Sequence, residues 1–571
     1  MYFKNFKTPN NQYICKNNYM KHLVLILILI SNLSFAQNQY QITYVEKYNG
    51  KVINDDKKTL VTANNTAALI TNSQFKSSKV YPKQQNFINT TNNYITSQAT
   101  FKNLLVLSTI DSTSINNQKL TLTNEYETIL GYKTRKATTS INSNTINVWF
   151  TTDLPIKAAP NSLGISLGVV LKYSRNNDYV IEATQVKKLS KKELTNLTPS
   201  MDKTVSGLDF QDALMKARYT TVPIFKDDIL SFNENNKSND SILKFANGTV
   251  AVRKIKMPKI DKGSLVFLDV KEQANGDAYD RTGSVFVILP STKATFLKGL
   301  QEGINTLPLY DNGTSKKYQG IVTTNTYETP IELMRFFTPF GVHHFNHIKL
   351  KDKEWRDWVD YRQDISEFNE VLSEQEVYIG IFIGNYDKGG HKVSANITIH
   401  PNETNLFPNQ TIKPLFNTTN VMEMGGQEYP ILFENGKTLK VNFELDKPLT
   451  NVYLRYIATG HGGWENGDEF VPKIHEIVLN GKTAQSYLPW RVDCGSYRLD
   501  NPASGNFANG LSSSDLSRAN WCPGTVTNPT YIYLGDLNSG MHEIEISIPQ
   551  GLPEGGSFSY WNVSGVLLGT N

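Results

Sequence analysis

LKVNFEL, Leu439 to Leu445, sets an apolar residue at every second position. Leu439, Val441, Phe443 and Leu445 share one side of an extended chain, because successive side chains of a strand point to opposite faces. The same alternation runs through Val393, Ala395, Ile397 and Ile399, and again through Ile544, Ile546 and Ile548. Strands that are apolar on one face belong to antiparallel sheets that cover a core and leave the other face in water. Arg281 to Leu289 is apolar on both faces, which predicts a central strand covered on both sides. Helix signals almost vanish after Ala246, and HPNETNLFPNQT, His400 to Thr411, marks a boundary between two sandwiches.

Upstream, Tyr40 to about Glu182 carries strand after strand (YQITYVEKY, TLVTA, FKNLLVLS, KLTLTNEY, INVWFTT, VVLKYS, YVIEATQV), separated by Asn, Ser and Gly clusters. That rhythm is all-β. Only SGLDFQDALMKARY breaks it: Phe210, Ala213, Leu214 and Ala217 fall at i, i+3, i+4 and i+7 on one helix face, as expected of a helical connector that docks the N-terminal domain on the remainder of the chain. The expected organisation is a leader at 1–36, a β-rich domain at 37–200, the connector at 201–222, and sandwiches at 223–404 and 405–571.

The chain has 571 residues, more than one core usually serves. Its formal charge of +5 comes mostly from the leader, where Lys4, Lys7, Lys16 and Lys21 face no acid; 54 basic against 53 acidic residues remain beyond it. A near-neutral chain with interspersed charges has no phosphate-tracking surface, so nucleic acid is not an expected partner. Met20 to Gln37, MKHLVLILILISNLSFAQ, has the pattern of a secretory signal peptide (20–36) and is too short to span a bilayer comfortably. Met20 is the expected start, and the exported protein is expected to be secreted or periplasmic and not embedded in a membrane. With Cys15 in the leader, Cys494 and Cys522 remain, and export favours their pairing as a disulfide.

Chemistry concentrates in TGHGGWENGDEF, Thr459 to Phe470. A loop built only to turn needs a glycine or an asparagine, whereas this one gathers His461, Trp464, Glu465, Asp468 and Glu469. Read with GDEFVPKIHEIVLN, with GDAYDRTGSVFVI (Gly276–Ile288), with RFFTPFG (Arg335–Gly341) and with LSRANWCPG near the C-terminus, the stretch from about Pro223 onward resembles the peptide-N-glycosidase F family. The resemblance implies two eight-stranded antiparallel jelly rolls lying side by side. It implies an amidase acting on N-glycosylated peptides and proteins, with Asp280 and Glu469 as catalytic carboxylates. Tyr279, Arg281, His461, Trp464, Arg518 and Trp521 fall around the substrate, and no cofactor or metal is implied. Asp280, beside Arg281, is expected to stay ionised and activate water, with Glu469 orienting that water or the substrate amide. The family bridge from the WCPG cysteine falls on Cys522 and Cys494.

GYKTRKATTSINSNTINVWFTTDLPIKAAPNSLGISLGVVLKY, in the N-terminal domain, resembles the secreted GLPGLI family and carries no known chemistry. Three rivals remain: a lectin of the same fold, a glycoside hydrolase with its own carboxylate pair, and a copper-dependent monooxygenase drawing on His343, His344 and His347 with Met422 and Met424. Against copper, neighbouring histidines on a strand face opposite ways. One departure stands out. Where the family has a TETW segment, this chain reads IFIGN, Ile381 to Asn385, without Glu or Trp, and Asp387 is the candidate replacement carboxylate.

Overall fold

The computed structural model describes residues 39–62, 67–71, 81–190, 197–345, 347, 349–419, 429–462, 467–503, 513–553 and 558–571. The expected leader, Trp464, Glu465, Met422 and Met424 lie outside the described residues. The chain forms two compact units, Met1–Ala217 and Arg218–Asn571.

Among the described residues the first unit forms one eleven-stranded antiparallel sheet. Numbered in chain order, its strands run sixth to first, then eleventh to seventh, so two meanders meet where the first strand, Gln39–Tyr48, pairs with the last, Tyr179–Lys188. Hairpins join neighbours. Asn49 and Gly50, both at positive φ (46° and 77°), make the two-residue turn whose twist matches antiparallel strands. The core holds Ile42, Tyr44, Val148, Leu171 and Ile181, with Ile156, Ala158 and Ile165 from the segment between two strands packed onto it. The helix is present at Gly207–Lys216, capped by the Ser206 hydroxyl accepting from the Asp209 amide at 3.1 Å. Its Phe210 and Leu214 pack on Ala99 and Leu107 of this unit.

The second unit holds two sandwiches. The strands of the first are Thr220–Leu230, Val250–Lys256, Leu265–Ala274, Thr282–Ile288, Ile331–Phe337, Val359–Asp364, Glu376–Ile383 and His391–His400. One sheet runs first-eighth-third-sixth and the other second-seventh-fourth-fifth, the latter extended by Leu243–Phe245 and by Val526–Thr527. The second sandwich repeats both orders with Gln410–Asn417, Thr438–Leu445, Leu449–His461, His475–Leu479, Lys482–Tyr487, Thr530–Leu537, Gly540–Ser547 and Tyr560–Thr570. This double interleaving is the jelly roll. The alternating residues face inward as expected: Leu439, Val441, Phe443, Leu445, Ile544, Ile546 and Ile548 in one core, and Val393, Ala395, Ile397 and Ile399 in the other. Thr282–Ile288 is the doubly covered strand, with Val285 and Val287 in the main core and Phe286 and Ile288 in a second cluster on the far side.

Val566 and Leu568 of the second jelly roll enter the core of the first. Two buried arginines complete the seam. Arg335 donates to Glu332 from Nε and Nη2 (3.0 and 2.7 Å), and from Nη1 to Thr459 Oγ1 at 3.0 Å and the Asn562 carbonyl at 2.7 Å. Arg455 returns the contact, donating to Glu367 at 2.8 Å and to the carbonyls of Glu332 and Leu333. Burial alone would raise the Glu332 carboxyl, but Arg335 and the hydroxyls of Ser564 and Ser284 hold it below its ordinary value. With each buried charge paired, the seam fixes the two jelly rolls against each other, and with them the loops at their ends.

Candidate active site

Asp280 lies in the connection between the third and fourth strands of the first jelly roll. Glu469 lies in the same connection of the second. Duplicated topology thus delivers one carboxylate from each sandwich to a common place, and Arg518, from the connection between the fifth and sixth strands of the second, joins them. Its Nη1 is 3.3 Å from Asp280 Oδ2 and 3.0 Å from Glu469 Oε1.

Arg518 is itself immobilised. Its guanidinium lies 4.3 Å above the Trp521 ring and 5.1 Å from that of Phe470, and Nη2 donates to the Ser513 carbonyl. Trp521 stacks on Phe337 at 4.2 Å and donates from Nε1 to the Gly460 carbonyl at 3.0 Å. Glycine is needed at 460, where a Cβ would come within 2.5 Å of the Asp468 carbonyl and 2.8 Å of Trp561. The Arg518 backbone exchanges two hydrogen bonds with Arg491, and Cys522 is bridged to Cys494. A rigid aromatic and covalent footing therefore holds the one cation that both carboxylates share.

Both acids are displaced upward. Burial pushes Glu469 to about 7, with Arg518 pulling it back and the Asp280 charge pushing it further, while the Gly462 amide donates to its Oε2 at 3.3 Å. Burial also raises Asp280, against the pull of Arg518 and Arg281. One guanidinium cannot neutralise two carboxylates, so the pair retains a proton up to near-neutral pH and can both take up and give one.

The expectation that Arg281 pins Asp280 in its ionised form is corrected. Arg281 turns away and grips Asp277 through two bonds, 2.6 Å from Nε and 3.0 Å from Nη2, so burial prevails at Asp280. Asp277, missed in the sequence reading, is nearly buried, and it also meets His391. Of the expected aromatics, Tyr279 is exposed, with the Arg281 guanidinium 5.3 Å from its ring. Trp521 and His461 are buried at 4% and 6% exposure, forming the footing beneath Arg518 instead of an open platform. His461 stacks on Phe337 and Tyr560 and meets the Thr459 hydroxyl at 2.8 Å; burial, then Arg335 and Arg518, lower it to about 3, so it stays neutral.

The histidine cluster differs from expectation in its backbone. Val342–Phe345 is a short helix, and His344 Nε2 meets the Gly276 carbonyl at 2.9 Å. Among the described residues no group of three or more His, Cys, Asp or Glu side chains is placed to hold a metal. In IFIGN, Ile381 and Ile383 are core residues. Asp387, the candidate replacement carboxylate, caps its own turn with Oδ1, accepting from the amides of Gly389 (2.7 Å) and Gly390 (2.8 Å).

Paired jelly rolls with one half-buried carboxylate apiece, joined through an arginine, define a class of enzyme-like β proteins, and comparison with known proteins narrows it. Residues 42–212 match the family model for the N-glycanase peptide N-terminal domain, 221–399 that for peptide-N-glycosidase F, N terminal, and 428–568 that for its C terminal. The solved structure of PNGF-II, in C2 and P21 crystal forms, is 49% identical over 94% of this chain and 98% or 99% of its own, with a TM-score of 0.87. PNGase F, a glycosylasparaginase from Flavobacterium meningosepticum, is 17% identical over 62% of this chain and 96% of its own, with a TM-score of 0.40. No curated protein sequence matches. The chain belongs to the peptide-N-glycosidase F family, and its function is of the N-glycanase type.

Proposed function

We propose that this protein is an exported amidase that hydrolyses the bond between an asparagine side chain and the first N-acetylglucosamine of an N-glycan. The observation that carries this reading is the single guanidinium shared by Asp280 and Glu469 at 3.3 and 3.0 Å. Water adds to the side-chain carbonyl carbon while one carboxylate, Asp280 in its ionised form, takes the water proton. The carbon–nitrogen bond then breaks, a proton reaches the departing nitrogen, and aspartate and a glycosylamine result. Glu469, raised to about 7, holds a proton near neutral pH and sits one guanidinium away, so it suits the acid half of the cycle. Arg518 keeps both groups in register and offers positive charge where the carbonyl oxygen becomes negative.

The leader pattern at 20–36 supports export, and no helix among the described residues is long and apolar enough to cross a membrane. The test is mass spectrometry of a glycopeptide after incubation. Conversion of Asn to Asp supports the amidase; N-acetylglucosamine left on Asn means a glycoside hydrolase; binding without release means a lectin.

A finer reading concerns specificity. Ile381 and Ile383 face the core, so IFIGN sets no tryptophan beside the first sugar, and we read the site as tolerating a core α1,3-fucose. Competition between otherwise identical glycopeptides with and without that fucose tests it, and strong rejection of the fucosylated one refutes it.

A further inference from the structure

His391 begins the eighth strand of the first jelly roll and is fully buried. Its Nδ1 lies 2.8 Å from Glu272 Oε1 and its Nε2 3.3 Å from Asp277 Oδ2. With both carboxylates in their ionised form they only accept, and the ring then donates from both nitrogens, which only the imidazolium does. Glu272, His391, Asp277 and Arg281 then form a chain of alternating sign with no net charge. Asp277 and Arg281, four residues apart and joined through two hydrogen bonds, close the short segment that contains Asp280. The surroundings press on the same segment. The amides of Asn275 and Asp277 donate to the Gly390 carbonyl, the Thr338 amide donates to the Arg281 carbonyl while the Arg281 amide donates to the Thr338 hydroxyl, and Gly276 and Gly389 have no room for a Cβ.

We infer that His391 is a positioning residue for the reaction: bridging Glu272 and Asp277, it holds the Asp277–Arg281 clasp closed and so fixes the place of the Asp280 carboxylate. This rests on the amidase reading. His391 touches neither Asp280 nor Arg518; its influence passes through Asp277. Misplacing a reacting group by about an ångström costs ~10²-fold in rate, so loss of the bridge is expected to lower kcat ~10- to 100-fold and leave KM nearly unchanged.

The bridge also has a pH signature. Burial lowers the imidazole, but the hydrogen bonds and charges of Asp277 and Glu272 outweigh it and raise it to about 9. The charged groups facing it are Glu272 from the third strand and Asp277 with Arg281 beyond it, while Tyr361 from the sixth strand is driven well above the usual phenol range by burial first and by the Glu272 charge next. A raised imidazole keeps the bridge intact below its folded value and loses it as pH climbs through about 9, so kcat should fall there a second time, beyond the decline near pH 7 that ionisation of Glu469 brings.

The experiment uses the full chain and two variants: His391→Gln, which reaches only one carboxylate, and Glu272→Gln/His391→Gln, which removes both charges and guards against misfolding from an uncompensated buried acid. Hydrogen exchange is followed in the peptide covering residues 276–282, and kcat and KM are measured on one glycopeptide from pH 6 to 10. Faster exchange, a fall in kcat at constant KM, and loss of the second limb near pH 9 in the double variant support the proposal. Unchanged exchange, or a second limb near pH 9 that persists in the double variant, overturns it. If the wild-type chain releases no glycan, the amidase reading falls, and the exchange comparison still judges the bridge.

Discussion

Replacing Glu469 with glutamine should abolish glycan release and at the same time make the protein more stable at alkaline pH. Glu469 moves from an ordinary 4.5 to about 7 in the folded chain, a gap of about 2.5 pH units, equivalent to ~3 kcal/mol at about 1.36 kcal/mol per unit. Because the folded value is the higher one, the folded state holds this proton more tightly. The associated stability is present in full below the unfolded value and is lost as pH rises through about 7. At pH 8 the wild-type enzyme therefore carries an ionised, mostly buried carboxylate at full cost, whereas glutamine keeps the shape and can still accept from Arg518. The side chain retains 19% exposure, so part of the cost is screened, and ~1–3 kcal/mol is expected. Thermal melts of both proteins at pH 8 and pH 4 measure it, with the variant melting a few degrees higher at pH 8 and the difference closing at pH 4. A variant that is equally or less stable at pH 8, or a difference independent of pH, would refute the claim that burial sets the protonation of Glu469.

Asp280→Asn should leave the fold intact and lower release by ~10²- to 10⁴-fold, measured as single-turnover product by mass spectrometry; near-wild-type turnover would mean that another residue is the base. Breaking the Cys494–Cys522 bridge, 28 residues apart in sequence, by Cys522→Ser should cost ~3 kcal/mol by loop closure, read from denaturant melts. Arg335→Met should be the most damaging change at the seam, ~3–5 kcal/mol, because it strands the fully buried Glu332; a mild effect would show that the seam relaxes. Treatment with a chelator should leave release unchanged, and a loss restored by added copper would return attention to His343, His344 and His347.

Period-2 alternation placed the strands of both jelly rolls because burial of one sheet face acts on each residue locally, and Leu439, Val441, Phe443 and Leu445 record it without reference to anything distant. Asp280, Glu469 and Arg518, singled out from their motifs, meet in the structure, and the pairing of Cys494 with Cys522 was readable from their number and setting. Their charge states were not. Adjacency in sequence suggested that Arg281 neutralises Asp280, yet the loop turns Arg281 onto Asp277, and Arg518, 238 residues away in the chain, takes its place. Nor does any local pattern announce His391, Glu272 and Asp277, which meet only when the eighth strand lies beside the third. Trp521 and His461 look the same in sequence whether they face a sugar or a core; stacking on Phe337 decides for the core. Periodicity reports which side of a strand is dry, whereas a pKa or a shared proton depends on distances of about 3 Å between residues from different strands and connections, and those distances exist only after the sheets have packed.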